Sequence, residues 1–165
     1  MFNVKMEIRD FGTITLSLDP ATAPITVANF VKLADMGFYD GLTFHRIIRG
    51  FMIQGGDPEH NGMGGSMDTI KGEFAANGFN NTLSHKRGVI SMARSMNPNS
   101  ASSQFFIVHE DSTFLDGQYA AFGVVTDGID VVDAIAKMVR PIDGNGTVLF
   151  EDQPVIEKIT VTKAD

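Results

Sequence analysis

Apolar residues stand at every second position at the start of the chain, a spacing that suits a strand and not a helix. Residues 4–9 read Val-Lys-Met-Glu-Ile-Arg, and residues 13–18 read Thr-Ile-Thr-Leu-Ser-Leu. Successive side chains of a strand point to opposite faces, so each segment has one apolar and one polar face. A turn near Asp10–Gly12 joins the two segments. The start of the chain therefore predicts a hairpin of two half-buried strands.

Two later stretches carry instead the spacing that places apolar side chains on one face of a helix. The first begins near Pro24, which needs no N–H donor in a first helical turn, and ends near Gly37. The second is Ile129–Val139, which Pro141 terminates. The apolar positions are Val27, Phe30, Val31 and Ala34 in the first stretch, and Val132, Ile135, Ala136 and Val139 in the second.

The other apolar segments are short and rich in Phe, Ile and Val, as buried strands are. Many short strands with two separate helices predict an all-β fold, a closed or nearly closed barrel whose open ends the helices cover. The length suits a single domain, 1–165. The segment 55–82 has many Gly and Asn, and long ordered loops of this kind are usually functional. The predicted further strands are Thr43–Gln54, Val89–Ala93, Gln104–Val108, Ala121–Val125 and Val155–Thr162.

The composition excludes several kinds of chemistry. The chain has no Cys, which excludes disulfides, a thiolate nucleophile and a thiolate zinc site. The Gly-rich run 55–65 lacks the GK[ST] ending of a phosphate-binding loop, and no GxSxG nucleophile motif is present. We therefore expect no metal and no cofactor. The four histidines without metal-ligand spacing are His45, His60, His85 and His109.

The charge balance bears on partners and location. Thirteen Lys and Arg against 20 Asp and Glu give a formal charge of −7. Binding to nucleic acid needs clustered cations, so no nucleic-acid partner is expected. No apolar run approaches the roughly 20 residues of a membrane span, and the N-terminus does not have the pattern of a signal peptide. The expectation is a soluble, cytoplasmic monomer without a membrane partner.

Three motifs carry the functional signal. They are FHRIIRGFMIQGGD at 44–57, GVISMAR at 88–94 with SSQFFI at 102–107, and FLDGQYAAFG at 114–123. Together they resemble the cyclophilin family of peptidyl-prolyl cis–trans isomerases, most of all a compact bacterial cytoplasmic member. The resemblance covers essentially the whole chain. It implies a closed antiparallel eight-stranded β-barrel with two α-helices over its ends, and proline-containing peptides and folding polypeptide chains as partners.

The strand pattern can also be interpreted without the family. Arg46 and Gln54 share one parity, and a bend at Gly50 could bring Phe51 to the same side. In 104–108, one alternating set of side chains can fill the core while the other lines an outer groove. Such a groove would combine a cation, two amides and several Phe or Met side chains.

This groove suits rotation about a peptide bond before proline. The rotation costs about 18–20 kcal/mol because it breaks amide resonance. In the twisted transition state the prolyl nitrogen becomes pyramidal and regains a lone pair. A donor aimed at that nitrogen stabilises the twisted form more than the planar form, which is the condition for catalysis. The reaction requires no metal, no nucleotide and no covalent nucleophile.

The resemblance also implies which residues act. Arg46 is the catalytic residue, whose guanidinium lies over the isomerising amide and donates to it. Gln54 holds the arginine and the substrate backbone in place. The other implied peptide-binding residues are Phe51, Met52, Phe106 and Leu115 in a hydrophobic proline pocket, Ala93, Arg94 and Gln104 across the groove, and Phe114 and Tyr119.

Three of these positions depart from the best-known eukaryotic members. Phe114 stands in place of Trp, Tyr119 in place of His, and Arg94 in place of Asn. Phenylalanine lacks the N–H donor of an indole. We therefore expect weakened affinity for cyclosporin, a drug that the family binds, while isomerase activity is retained.

Structural interpretations and other functions remain open at this point. Phe51, Phe106 and Leu115, taken singly, are typical core residues. His45, of opposite parity to Arg46, is assigned to a structural role in which it satisfies backbone groups. One alternative function is a non-catalytic proline-peptide-binding module on the same fold, and another is a barrel that carries a small apolar ligand. The presence of Arg46 favours the enzyme, because a pure binder does not need the donor.

Overall fold

The computed structural model describes residues 1–164, and its main feature is one antiparallel eight-stranded sheet. In chain order the strands are β1 (Phe2–Ile8), β2 (Gly12–Leu18), β3 (Phe44–Ile48), β4 (Met52–Gly55), β5 (Val89–Met92), β6 (Phe105–Val108), β7 (Ala121–Asp127) and β8 (Ile156–Lys163). The helices are α1 (Pro24–Asp35) and α2 (Ile129–Met138). The order across the sheet is β3-β4-β6-β5-β7-β2-β1-β8. The predicted all-β fold with two helices is confirmed.

The sheet curls until its edge strands approach each other. β3 and β8 are the two edges, and Thr43, beside β3, forms a bridge with Val155, beside β8. The backbone N–H of Ile156 donates to the carbonyl of Leu42 (2.7 Å) along the same seam. The curled sheet thereby pairs groups that an open edge would leave exposed.

Two apolar clusters lie on opposite faces of the curled sheet. Phe105 and Ile107 belong to the large inner core, whereas Phe106 and Val108 belong to a smaller cluster. Because neighbouring residues of a strand face opposite ways, the smaller cluster lies on the outer face of β6. An outer groove beside the packed core is therefore present, as the alternation in 104–108 predicted.

The segment 43–54 differs from the prediction of one bent strand. Its two halves, β3 and β4, form a hairpin joined by a turn at residues 49–51. Phe51 N–H donates to the carbonyl of Ile48 (2.9 Å), and Gly50 has a φ of 84°. A glycine at positive φ in a tight turn reverses the chain rather than bending it, so the single-strand prediction was wrong.

The expected relation between Arg46 and Gln54 nevertheless holds. The two residues are directly paired across the hairpin. Opposite residues of an antiparallel pair project to the same face, so both side chains lie on one side of the sheet. The hairpin brings them together more closely than a continuous strand would.

A bulge explains the irregular alternation in β8. Ile156 and Ile159 are both buried although they are three residues apart. The pairing of β8 with β1 shifts register between Glu7 and Ile8, which leaves Glu157 as an extra residue. One inserted residue rotates the rest of the strand, so both isoleucines reach the core.

The amino end of α1 is capped from a distant loop. Ala23, at the N-cap, has no polar side chain, and Glu73 takes over its role. The carboxylate of Glu73 is fully buried and accepts hydrogen bonds from Ile25 N (3.2 Å), Thr26 N (2.7 Å) and Thr26 Oγ1 (2.7 Å). A carboxylate at this end satisfies free N–H groups and complements the helix dipole. The 55–82 segment is thus anchored to the helix.

Among residues 1–164, neither helix has the length and apolar character needed to cross a bilayer.

Two buried histidines make stability sensitive to acid. His45 is 5 % exposed and His85 is 1 % exposed, and burial lowers the pKa of both imidazoles. The carboxylate of Asp116 raises the pKa of His85, but burial has the larger effect. The unfolded chain keeps the ordinary pKa of about 6.5. Below that pH the unfolded state takes up protons that the native state resists. We therefore expect the free energy of unfolding to be highest above about pH 6.5 and to fall progressively in acid.

Urea unfolding at a series of pH values measures this effect. A His45→Phe variant should lose part of the acid-dependent slope, because one of the two groups no longer titrates. An unchanged slope in that variant would contradict the assignment to His45.

Candidate active site

A row of polar side chains on the outer face of the sheet is linked end to end. Arg46 Nη1 donates to Gln54 Oε1 (3.2 Å), and Gln54 Nε2 donates to Gln104 Oε1 (3.0 Å). Gln104 Nε2 in turn donates to the carbonyls of Gly62 (3.0 Å) and Gly64 (2.8 Å). Each amide is used as donor and acceptor, so its orientation is determined. The row holds the guanidinium against β4.

Arg46 is also held from its other side. Its Nε donates to the carbonyl of Asn145 (2.7 Å), and Nη2 lies 3.4 Å from Asn145 Oδ1. Partial burial lowers the pKa of the Arg46 guanidinium, a group that still remains charged. Asn145 lies in a turn after α2 and was not among the predicted residues, because no sequence signal relates it to β3.

A cavity of about 110 Å³ opens beside this guanidinium. Its floor is apolar and buried, since Met52, Phe106 and Leu115 are 1 %, 4 % and 8 % exposed. Every residue that lines it belongs to the set implied by the motifs. The lining residues are Arg46, Phe51, Met52, Gln54, Ala93, Arg94, Phe106, Leu115 and Tyr119.

The two other predicted residues lie next to the cavity and not in its wall. Gln104 lines an adjoining polar cavity of about 370 Å³ and reaches the site through Gln54. Phe114 is 71 % exposed, and its ring centroid lies 5.5 Å from that of Phe51. Phe114 therefore forms the rim.

The sequence also matches the model of a known protein family. The family model described as "Cyclophilin type peptidyl-prolyl cis-trans isomerase/CLD" matches residues 3–164. The chain belongs to the cyclophilin family. The predicted family and its peptidyl-prolyl cis–trans isomerase activity are thereby confirmed.

Bacterial relatives and a solved structure agree. The chain is similar to peptidyl-prolyl cis-trans isomerase B of Bacillus subtilis, with 48% identity over 74% of this chain and 82% of the relative. It is 45% identical to a peptidyl-prolyl cis-trans isomerase of Synechococcus elongatus, over 84% of this chain and 87% of the relative. A Cryptosporidium parvum cyclophilin, solved in the presence of the dipeptide Ala-Pro, superposes with a TM-score of 0.85 and 30% identity, covering 98% and 99% of the two chains.

A hydrogen-bonded triad supports the floor of the cyclophilin cavity. His85 lies 2.9 Å from Asp116 Oδ1 through Nδ1 and 2.9 Å from Ser91 Oγ through Nε2. Its ring is nearly parallel to that of Phe106, with centroids 6.0 Å apart. The order Asp-His-Ser matches that of a hydrolase triad, but Ser91 is fully buried and cannot reach a substrate carbonyl. We conclude that the triad orients Phe106.

Arg94 of the cyclophilin is anchored rather than free in solvent. Its guanidinium lies 4.8 Å from the ring centroid of Phe74 and 4.9 Å from that of Tyr119. Nε and Nη2 donate to the carbonyl of Gln118 at 3.0 and 2.7 Å. Cation–π contacts and these bonds fix its position. Arg94 lines both the proline-sized cavity and the adjoining polar one.

The Gly-rich run that resembles a phosphate loop in composition is organised around a carboxylate of its own. Asp57 is fully buried and accepts from the backbone N–H groups of Glu59 (2.8 Å), Asn61 (3.1 Å) and Gly62 (2.6 Å). Burial raises the pKa of Asp57, but the backbone hydrogen bonds outweigh burial, so that the pKa lies below its ordinary value. The N–H groups that would bind a phosphate are already occupied.

His45 does not play the role predicted for it. Both of its ring nitrogens are buried, and within the described part of the chain neither has a hydrogen-bond partner. The expectation that it satisfies backbone groups was wrong, because the carbonyl and N–H groups of β3 are used by the neighbouring backbone. In residues 1–164 no cluster of three or more His, Cys, Asp or Glu side chains is placed to hold a metal ion.

Proposed function

We propose that this cyclophilin binds the ring of a proline residue in the 110 Å³ cavity and that Arg46 catalyses rotation about the preceding peptide bond. An engineered apolar cavity of about 150 Å³ holds benzene, so a cavity of about 110 Å³ has room for one five-membered ring. The supporting observation is a small apolar cavity with a fixed guanidinium at its edge. Phe51, Met52, Phe106 and Leu115 form its apolar walls.

The geometry supports a mechanism based on positioning and electrostatics. Gln54 and Asn145 hold Arg46 before the substrate arrives, so little reorganisation is needed when the amide twists. The guanidinium donates to the prolyl nitrogen as its lone pair forms. The apolar wall disfavours the charge-separated resonance form that keeps the amide planar. One well-placed donor is worth about 3–4 kcal/mol in comparable transition states, a substantial part of a barrier of about 18–20 kcal/mol.

Exchange NMR on an Ala-Pro peptide tests this function. Added protein should accelerate cis–trans exchange, and saturating peptide should shift the signals of Phe106 and Leu115. A non-catalytic module would shift the same signals without accelerating exchange. That outcome would contradict the catalytic assignment and favour the binding module.

The setting of the enzyme is part of the proposal. We place it in the cytoplasm as a monomer in which residues 1–165 form one isomerase domain that acts on proline-containing peptides and folding chains. The apolar-carrier alternative lacks support, because the barrel interior is filled by aromatic side chains. Phe30, Tyr39, Phe44, Phe105 and Phe122 are all fully buried.

Cyclosporin affinity is expected to depend on residue 114. Phe114 is at the exposed rim of the cavity and offers no donor. A Phe114→Trp variant should bind cyclosporin about three- to ten-fold more tightly, the effect of one added hydrogen bond. Calorimetric titration measures the change, and Met138→Trp, also at an exposed position but away from the cavities, is the control. Equal affinity in wild type and Phe114→Trp would contradict the role of the rim.

A further inference from the structure

A separate cavity of about 570 Å³ adjoins the proline site. Arg46 and Gln54 line both cavities. The other walls come from residues 60–63 and from the segment 145–153 that leads to β8. The motifs did not point to this segment, and the function proposed above uses only Asn145 of it, as a partner of Arg46.

The hydrogen bonds around His60 determine which of its ring nitrogens carries the proton. Gln153 Nε2 donates to the carbonyls of His60 (3.0 Å) and Val148 (3.0 Å), so Gln153 Oε1 is the acceptor of that amide. Thr43 gives its single hydroxyl proton to Gln153 Oε1. His60 Nδ1 lies 2.8 Å from Thr43 Oγ1 and must therefore donate to it. In the neutral ring, Nε2 is left as an acceptor, and no group among residues 1–164 donates to it.

His60 is also held in an unusual conformation. Its φ is 60°, a region that His enters more readily than most residues but that still costs energy. The ring packs on Phe150 with centroids 4.9 Å apart, and Phe150 is 65 % exposed. Strained residues of this kind concentrate at ligand-binding sites. The exposed ring provides an aromatic platform beside the Nε2 acceptor.

His45 is a second imidazole in the wall of this cavity. It lines this cavity, is 95 % buried, and has two ring nitrogens without a partner among residues 1–164. Unsatisfied buried groups are rare in native proteins and require an explanation. Both His45 nitrogens are enclosed and out of reach of a ligand, so His60 Nε2 is the imidazole acceptor available to one.

The charges of the residues that line this cavity limit which kinds of ligand it can bind. Arg46 is the one lining residue with a permanent charge, which disfavours a lysine side chain. A carboxylate or phosphate would be attracted by Arg46, but it carries no proton to donate to His60 Nε2. Met63, Leu149 and Phe150 add apolar surface. A neutral aromatic group that bears one hydrogen-bond donor fits all three conditions.

We propose that this cavity is a subsite for a tyrosine or tryptophan side chain of the client chain, near its proline. The aromatic ring packs against Phe150, and the phenol O–H or indole N–H donates to His60 Nε2. The inference rests on the proposed function, since the client is taken to lie across Arg46. The preference of the enzyme for certain residues near the proline would then depend on the segment 145–153.

Binding is tested first without a proline. N-acetyl-tyrosinamide titrated into the wild-type protein should produce a saturable shift of the His60 imidazole signals. The His60→Asn variant, whose new side chain also accepts positive φ, should bind about three- to ten-fold more weakly. Phe150→Ala should also weaken binding. Ile142→Ala, an exposed apolar position in the preceding loop, should bind as wild type does. Absence of a saturable shift, or equal binding in His60→Asn, would overturn the subsite.

The second test is a substrate preference. The substrates are peptides with a central Ala-Pro. One flanking position at a time, up to two residues before and two residues after Ala-Pro, carries Tyr, Phe or Ala. At one position, kcat/KM should be about three- to ten-fold higher for Tyr than for Phe, the value of one hydrogen bond. His60→Asn should remove this preference and leave the all-alanine peptide unaffected.

The two proposals fail in different ways. If wild type catalyses the all-alanine peptide but shows no Tyr preference at any position, the subsite is refuted and the proposed function stands. If wild type does not catalyse that peptide, the proposed function is refuted, and the tyrosinamide titration alone decides the subsite.

Discussion

Replacing Arg46 by alanine should lower kcat/KM for an Ala-Pro peptide by about 10²- to 10³-fold, as removal of one transition-state donor does elsewhere. The reason is that the guanidinium is the donor placed at the edge of the proline-sized cavity, where Gln54 and Asn145 hold it. Because the side chain is only partly buried and lies on the outer face of the sheet, the fold should be retained. Exchange NMR gives the rate, and urea unfolding checks the stability.

Two further variants sharpen that experiment. Arg46→Lys keeps the charge but loses the planar set of donors that contacts Gln54 and Asn145, so its activity should be intermediate. Arg49→Ala removes an exposed arginine from the same hairpin and should behave as wild type. Full activity in Arg46→Ala would refute the proposed mechanism.

The second large effect is on stability. Asp57→Ala should lower the free energy of unfolding by about 3–5 kcal/mol, because several backbone N–H groups lose a buried charged acceptor at once. Gln104 contacts the carbonyls of Gly62 and Gly64 in this loop, so KM should also rise. Urea unfolding and peptide kinetics measure the two effects. Asp57→Asn, which keeps one acceptor oxygen, should be intermediate.

The pH dependence of this contribution has a definite sign. The pKa of Asp57 is lower in the folded protein than in the unfolded chain. Its stabilisation is therefore complete above the unfolded value of about 3.9 and is lost as the pH falls through the folded value. Asp68→Ala, an exposed carboxylate of the same loop, is the matched control. Wild-type stability in Asp57→Ala would contradict the organising role of this carboxylate.

Local patterns predicted the elements well where one face is buried. The hairpin β1–β2 and both helices lie within one or two residues of their predicted bounds, since side-chain periodicity reflects which face packs on the core. The parity of Arg46 with Gln54 placed them on one face even though the turn at Gly50 was misjudged. The two side chains still share a face because residues that pair across an antiparallel hairpin project to the same side of the sheet.

The motifs predicted the family and the residues around the small cavity, although the functional roles of those residues remain predictions. Every residue of a long motif such as FHRIIRGFMIQGGD supports the same family assignment, whereas a single residue such as Phe114 supports it only once. The structure adds that Phe114 is at the rim and that Arg94 is anchored by two rings. These refinements concern position in space, which a residue type does not encode.

Sequence periodicity and motif order thus predicted both helices, the strands other than the β3–β4 hairpin, and the cluster of side chains around Arg46. The contacts that hold these parts in place became visible only in the folded chain. Asn145 binds Arg46 from 99 residues away, Gln153 binds His60 from 93 residues away, and Glu73 caps α1 from 47 and 48 residues away. Such contacts depend on how loops close over the curled sheet, and no local spacing or propensity reports on a partner that distant in the chain.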